Sequence, residues 1–158
     1  MPTVRDLLAR KGSQLPDAPR GADLVNLPPS ASALDAAQLM NARGVGAVLV
    51  IAEEGDRRRL VGIFTERDVL RRIVAAQVHP RELPLAEVMT RELVTCDVST
   101  TIDECAAVMT SRRIRHLPVL DRGGTPVGLV SIGDVLAFRA AEQEGTIEQL
   151  HRYIHDAR

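Results

Sequence analysis

The sequence predicts an α/β fold made of two tandem β-α-β-β-α units. The second half restates the first at recognisable spacing, and each half alternates helical patterns with short apolar runs. The chain has 158 residues, 45% of them hydrophobic, but only one Tyr, two Phe and no Trp, so the core must be aliphatic. This length suits one module with no room for a separate large catalytic domain.

Each unit contains a helix that opens with a capping box. In the first unit, Ser32 and Asp35 form the box ahead of an apolar stripe with helical spacing, and Gly44 ends the helix. In the second, Thr101 and Glu104 precede a stripe with the same spacing. The pattern indicates two equivalent amphipathic helices.

Each helix leads into two short apolar runs with turn residues between them. Runs of this length and branching are typical of buried strands, and the turns predict a hairpin in each unit. A leading strand is expected near Leu24 and Val25 in the first unit and near 93–95 in the second. The four runs of the hairpins are 47–51, 60–64, 117–120 and 126–130.

A short helical lead-in precedes each unit, at 4–8 and at 85–89. The proline-containing stretch 80–84 separates the two halves. Residues 12–21 have the composition of a loop and are expected to be mobile.

One phrase closes both hairpins: glycine, two apolar residues, Thr or Ser, two further residues and Asp. Thr65 with Asp68, and Ser131 with Asp134, have the spacing of capping boxes that satisfy N–H groups at helix starts. A helix start also favours anions such as phosphate. Capping alone and ligand binding are therefore both open.

With this phrase in both halves, the sequence resembles the CBS-domain family, whose paired repeats form a Bateman module. The resemblance covers nearly the whole chain and implies two CBS repeats packed by their sheets into one pseudo-two-fold module. The predicted segments are an N-terminal helix and loop (1–23), the first repeat (24–79), a linker with a short helix (80–92), the second repeat (93–141) and a C-terminal helix (142–158).

The resemblance also implies roles for the phrase. The matching Asp in the family holds a ribose, and the matching Thr or Ser lies near ribose and phosphate. A carboxylate accepts hydrogen bonds from vicinal hydroxyls, and a hydroxyl donates without adding negative charge. The adenine is expected near Val94 and Thr95, or near Val25 and Asn26. The predicted nucleotide site comprises Thr65, Arg67, Asp68, Val94, Thr95, Arg115, His116, Pro118, Ser131 and Asp134.

The two units differ most where the second carries Arg115 and His116 and the first carries Gly46 and Ala47. Arg grips phosphate with a planar fork, and His adds a donor that strengthens on protonation. Family members use basic residues here to meet phosphates in the central cleft. The other interpretation is a solvated turn with His116 packed at a strand edge. The two potential sites should therefore differ in affinity.

Composition and charge disfavour other classes of protein. A net charge of −1 and few aromatic residues argue against nucleic-acid binding. The sequence lacks a membrane-spanning run and a signal-peptide pattern, so a cytoplasmic location is expected. Cys96 and Cys105 are interpreted as packing residues, and the pair His151 and His155 lacks a third metal ligand.

With the resemblance, the sequence thus predicts a non-catalytic regulatory module that binds AMP, ADP, ATP or NAD(H) in the cleft between its two CBS repeats, forms a homodimer and acts on a regulated protein partner. No catalytic cofactor or metal is expected, and no nucleophile elbow or Walker loop supports an enzyme. The alternative is a structural dimerisation or partner-binding module with a vestigial nucleotide site. The stripe Ile147, Leu150 and Ile154 needs a covering surface, either its own fold or a second subunit.

Overall fold

The computed structural model describes residues 1–13 and 24–156. The order of its helices and strands confirms the predicted fold class, two tandem β-α-β-β-α units. Within these residues the strands are β1 (Asn26–Leu27), β2 (Ala47–Glu54), β3 (Arg57–Thr65), β4 (Cys96–Asp97), β5 (His116–Leu120) and β6 (Pro126–Ser131). The α-helices are α1 (Val4–Ser13), α2 (Ala33–Arg43), α3 (Glu66–Asp68), α4 (Leu85–Val88), α5 (Ile102–Arg112) and α6 (Ile132–Asp156).

The two amphipathic helices, α2 and α5, begin at the predicted capping boxes. The Ser32 side chain accepts from the Asp35 N–H, and the Asp35 carboxylate accepts from the Ser32 N–H. α2 ends at Gly44, whose φ of 63° suits a residue without Cβ. α5 repeats the box but ends at Arg113, with a φ of 55°. Both predicted helices are confirmed. They differ at their ends, because the left-handed residue is a glycine after α2 and an arginine after α5.

The strands form two three-stranded sheets, ordered β1-β2-β3 and β4-β5-β6. β2 pairs antiparallel with β3 from Ala47 opposite Thr65, with a bulge between Val50 and Ile51. In the turn between β5 and β6, the Asp121 carboxylate accepts from the backbone N–H groups at 123 and 125. Each predicted pair of apolar runs therefore forms neighbouring strands.

The leading strands lie later in the chain than predicted. β1 starts at Asn26 rather than near Leu24 and Val25, and β4 starts at Cys96 rather than within 93–95. Both are two-residue edge strands that run parallel to the central strand of their sheet. Val25 is still the first acceptor of the ladder, because its carbonyl accepts from the Leu49 N–H at 3.0 Å. Pairing register, rather than apolar character, determines where such short strands begin.

The helices that follow the two motif phrases differ in length. The first is the three-residue α3, and it continues as a π-helical segment, Val69–Val74. The second, α6, runs for 25 residues to Asp156 without a break, so the predicted terminal helix 142–158 continues the helix of the second repeat. α1 likewise extends beyond 4–8 and includes Gly12 and Ser13, while the rest of the loop predicted at 12–21 lies outside the described residues.

Each lead-in helix packs with the repeat that it does not precede. The N–H of Val4 in α1 donates to the carbonyl of Thr100, just before α5, at 2.8 Å. The N–H of Leu85 in α4 donates to the carbonyl of Ala31, just before α2, also at 2.8 Å. α1 therefore completes the second repeat, and α4 completes the first.

The chain divides into two compact units. One comprises Met1–Pro16, Val98–Leu117 and Val130–Arg158, and the other comprises Asp17–Asp97 and Pro118–Leu129. Their cores are aliphatic, as predicted, with Phe64 as the bulkiest of the fully buried side chains. Among the described helices, none combines the length and the apolar character needed to cross a bilayer.

Candidate functional site

The predicted motif residues lie at the junction between a strand and the helix that follows it. β3 ends at Thr65, and β6 ends at Ser131. The N–H of Thr65 donates to Asp68 Oδ2 at 3.0 Å, and the N–H of Ser131 donates to Asp134 Oδ2 at 2.8 Å. The side chains of Thr65 and Ser131 accept the return bonds from the Asp N–H groups. Both phrases are therefore capping boxes. Whether each carboxylate can also bind a ligand depends on how many further hydrogen bonds it can accept.

The carboxylate of Asp68 is enclosed. Only 6% of the residue is exposed, and the Thr90 hydroxyl donates to its Oδ1 at 3.0 Å. The Arg72 Nε lies 3.5 Å from the same oxygen, while the guanidinium also donates to the carbonyls of Val88 and Met89. A buried carboxylate needs such partners because burial removes the water that would otherwise solvate its charge. Both oxygens of Asp68 therefore have partners within the unit that contains the first repeat.

The carboxylate of Asp134 is more open. Its side chain is 21% exposed, and Lys11 Nζ of α1 lies 2.7 Å from Oδ2, the oxygen that also accepts from Ser131. Among residues 1–13 and 24–156, no further donor contacts this carboxylate, so Oδ1 retains its acceptor capacity. The second repeat thus presents an acceptor that the first repeat does not.

The backbone of Arg115 meets the start of α6, two residues before Asp134. Its carbonyl accepts from the Ile132 N–H at 2.9 Å, which fixes Arg115 to the first residue of α6. In the first repeat the same contact joins the Glu66 N–H to the Gly46 carbonyl at 3.1 Å. The sequence alignment of Arg115 with Gly46 therefore holds in the structure. His116 follows as a half-buried residue at the start of β5, and Arg115 is exposed.

The first repeat has an acidic pocket at the corresponding corner. A pocket of about 490 Å³ lies between the end of α2 and the start of α3, lined in part by Gly44, Gly46 and Glu66. Two glycines stand here where the second repeat carries Arg113 and Arg115. An exposed carboxylate at Glu66, without a cation among the lining residues, disfavours a phosphate.

The remaining predicted residues belong to the same unit as the first motif. Val94 is half-buried and Thr95 exposed ahead of β4, and Pro118 is buried in β5. The Cys96 thiol donates to the Pro118 carbonyl at 3.7 Å. Arg67 is exposed on α3. Ser131, Asp134, Arg115 and His116 belong to the other unit.

Three partners of the motif aspartates were not among the predicted site residues. Arg72 stands four residues after Asp68, a spacing that could have signalled an ion pair on a helix. Thr90 and Lys11 come from distant segments, and no local pattern marks them.

The cysteines and histidines do not form a metal cluster in the described part of the chain. Cys105 is buried in α5, and Cys96 is half-buried. The side chain of His155 lies outside the described residues, so the pairing of His151 with His155 is untested.

Comparison with known proteins identifies the family. The sequence matches the CBS domain over residues 21–75 and 85–141. It is 37% identical to the Arabidopsis thaliana "CBS domain-containing protein CBSX3, mitochondrial" over 122 residues, 76% of this chain and 58% of that protein. The Bacillus subtilis CBS domain-containing protein YhcV is 34% identical over 131 residues, 80% of this chain and 89% of that protein. The crystal structure of the CBS domain NE2398 matches with a TM-score of 0.74 and 37% identity, covering 87% of this chain and 97% of that one.

These matches bear on location and on family. The chain spans little more than half the length of the Arabidopsis relative, which is named as mitochondrial, so the cytoplasmic location stays a prediction. The two matched segments include both hairpins and both motif phrases. The chain therefore belongs to the CBS-domain family and carries two CBS domains, the arrangement of a Bateman module.

Proposed function

We propose that this chain is a non-catalytic regulatory module that senses an adenine nucleotide, AMP, ADP, ATP or NAD(H), at the motif of its second repeat. CBS pairs are in general regulatory modules that bind adenosine-containing ligands. The observation that carries the proposal is the Oδ1 of Asp134 near the start of α6, which accepts from no donor among the described residues. The backbone of Arg115 meets the first residue of the same helix.

The chemistry of these groups suits a ribose phosphate. A ribose hydroxyl donates to Asp134 Oδ1, and the start of a 25-residue helix favours an anion. Arg115 grips the phosphate, and His116 adds a further donor. Val94, Thr95 and Pro118 remain the proposed adenine contacts on the basis of the family resemblance alone.

The first repeat is proposed as a weak or vacant site. A ribose hydroxyl at Asp68 would have to displace Thr90 or Arg72, and Thr65 already serves as the cap. Of the residues predicted to bind the nucleotide in the first repeat, Arg67 is the cation. The neighbouring Glu66 carries the opposite charge and disfavours a phosphate there.

Replacement of Arg115 tests the phosphate role. We expect Arg115→Ala to weaken AMP binding about tenfold or more, because a charge-assisted hydrogen bond contributes about 1.5–3 kcal/mol. Adenosine should bind as it does to the wild type. Calorimetric titration of both ligands measures the difference, and Arg112→Ala, an exposed arginine at the end of α5, is the matched control.

Two results would redirect the assignment. Equal losses for adenosine and AMP in the Arg115→Ala protein would contradict the phosphate role. Wild-type protein that binds none of the nucleotides would favour the structural module instead.

Exposed apolar side chains favour this second candidate function. Leu70 and Val74 are each more than 60% exposed on the helical segment after Asp68. Such side chains are typical of a surface that another protein covers. Homodimer formation and action on a regulated partner belong to the proposal in either case.

A further inference from the structure

Each motif aspartate receives a side-chain donor from the lead-in segment that packs with its repeat. The Thr90 hydroxyl, two residues beyond α4, donates to Asp68 Oδ1 at 3.0 Å. Lys11, in the last turn of α1, places its Nζ 2.7 Å from Asp134 Oδ2. The contact between lead-in segment and motif is therefore built twice, with a neutral donor in the first repeat and a cation in the second.

The two contacts differ in how well they are protected from water. Asp68 is buried and Thr90 is half-buried, and the Thr90 backbone also pairs with Ile63 in both directions. In the other contact, the side chain of Lys11 is 46% exposed and that of Asp134 is 21% exposed. An ion pair at this exposure is weak, because water solvates both charges when it opens. The Lys11–Asp134 pair is therefore the contact that a ligand can displace.

The rest of α1 has its own contacts with the second repeat. Val4 and Leu7 are buried, and the N–H of Val4 donates to the backbone ahead of α5. Arg10 stacks over the ring of Phe138 in α6. Opening the Lys11–Asp134 pair thus loosens the last turn of α1 while the start of the helix stays in the core, since helix ends open at much lower free energy than core segments.

A ribose competes with Lys11 for the carboxylate of Asp134. Its two vicinal hydroxyls can donate to the two oxygens of one carboxylate, each of which has about two lone-pair positions. Oδ1 accepts from no donor among the described residues, whereas Oδ2 accepts from both Ser131 and Lys11. Because the Ser131 N–H is fixed by the capping box, the second ribose hydroxyl takes the position of Lys11. The ligand therefore favours the open state of the ion pair.

We propose that nucleotide binding at Asp134 displaces Lys11 and loosens the last turn of α1. This inference rests on the proposed function, since its ligand is the nucleotide of the second repeat, and it deepens that function by naming the structural change that follows binding. Coupling of this kind is reciprocal, so the ligand opens the ion pair by the same factor by which Lys11 weakens ligand binding. For an exposed pair this factor is at most about fivefold.

Cleavage by a lysine-specific protease tests the proposal on the full wild-type chain. Lys11 is the only lysine in the sequence, so such a protease reports on this position alone. Saturating adenosine should raise the cleavage rate, by up to about fivefold, because cleavage requires the last turn of α1 to open. A ligand that only stabilised the fold would slow cleavage instead. 2′-Deoxyadenosine, which lacks one of the vicinal hydroxyls, should accelerate cleavage clearly less.

Two aspartate variants test the contact without a ligand. Asp134→Asn removes the charge that holds Lys11, so the free protein should be cleaved faster than the wild type and respond less to adenosine. Asp103→Asn is the matched control, because Asp103 pairs with Arg139 of the same helix α6, also at 2.7 Å. It should be cleaved like the wild type. Thermal melting checks that both variants are folded.

Three results would overturn the proposal. These are unchanged or slower cleavage while calorimetry shows that adenosine is bound, equal acceleration by adenosine and 2′-deoxyadenosine when both are saturating, or equal cleavage of the two folded variants. The first two leave the proposed function standing, since they are observed on protein that binds the nucleoside. A wild type that binds no adenosine would overturn the proposed function, and this inference with it.

Discussion

The two motif aspartates occupy the same place in their repeats but meet different neighbours. Asp68 receives the Thr90 hydroxyl and the Arg72 guanidinium on one oxygen and the Thr65 N–H on the other. Asp134 shares a single oxygen between Ser131 and Lys11. A ligand hydroxyl therefore has to displace a partner at Asp68, whereas at Asp134 it can donate to Oδ1, which no other donor contacts in the described part of the chain.

Lys11 should modulate the proposed ribose contact. Its ammonium competes with a second ribose hydroxyl for Asp134 Oδ2, so Lys11→Met should tighten adenosine binding. An exposed ion pair contributes up to about 1 kcal/mol, which limits the gain to about fivefold. Calorimetry with adenosine measures it, since a neutral ligand avoids the attraction between the ammonium and a phosphate.

Arg10 provides the control for this prediction. It is the residue before Lys11, but it pairs with Glu142 and stacks 4.3 Å from the centre of the Phe138 ring. Arg10→Met should leave adenosine affinity unchanged. Weaker adenosine binding in Lys11→Met would show that the lysine supports the ligand rather than competing with it.

At the residue scale, the capping hydrogen bonds could be predicted from the sequence. The side chains from distant segments that also contact the motif aspartates could not. Ser131 and Asp134 are three residues apart, so their hydrogen bonds follow from local spacing. Lys11 reaches Asp134 across 123 residues of chain. Only the packing of α1 against the second repeat brings the two side chains together, and no local pattern encodes that packing.

At the element scale, the exchange of lead-in helices gives α1 a structural role in the second repeat. Val4 and Leu7 are buried, and the N–H of Ile102 donates to the Pro2 carbonyl. The segment before the first repeat therefore belongs to the core beneath the proposed site. Its removal would expose part of that core to water.

Truncation of Leu7 tests this role. Leu7→Ala should lower the free energy of unfolding by about 2–5 kcal/mol, the usual cost of a buried leucine truncated to alanine. Leu8, the next residue of α1, is half-buried, so Leu8→Ala should cost clearly less. Urea unfolding measures both variants, and equal losses would contradict the assignment of α1 to the core.

Long elements could be predicted at this scale, and short or merged ones could not. Periodicity and caps identify α2 and α5 because both signals agree over eleven residues. β1 and β4 have two residues each, too few for a pattern. The sequence predicts a separate C-terminal helix from 142, yet α6 runs through this boundary without a break. It also passes through Gly145, because a single glycine weakens a helix without ending it.

At the scale of the whole molecule, one duplicated pattern supports two different halves. The family match covers both repeats, and both keep the capping phrase. The aspartate of the first repeat is enclosed by hydrogen bonds, while the second repeat has an exposed arginine and a carboxylate oxygen that no donor contacts among the described residues. The central claim is that the chain senses an adenine nucleotide with its second repeat.

Titration of AMP into two matched variants, Asp134→Asn and Asp68→Asn, tests this claim most directly. Thermal melting checks first that each variant is folded. We expect Asp134→Asn to lose about tenfold or more in affinity, because an amide offers one neutral carbonyl acceptor in place of two charged carboxylate oxygens, and folded Asp68→Asn to bind like the wild type. Wild-type affinity in Asp134→Asn, with binding lost in a folded Asp68→Asn protein, would contradict the account.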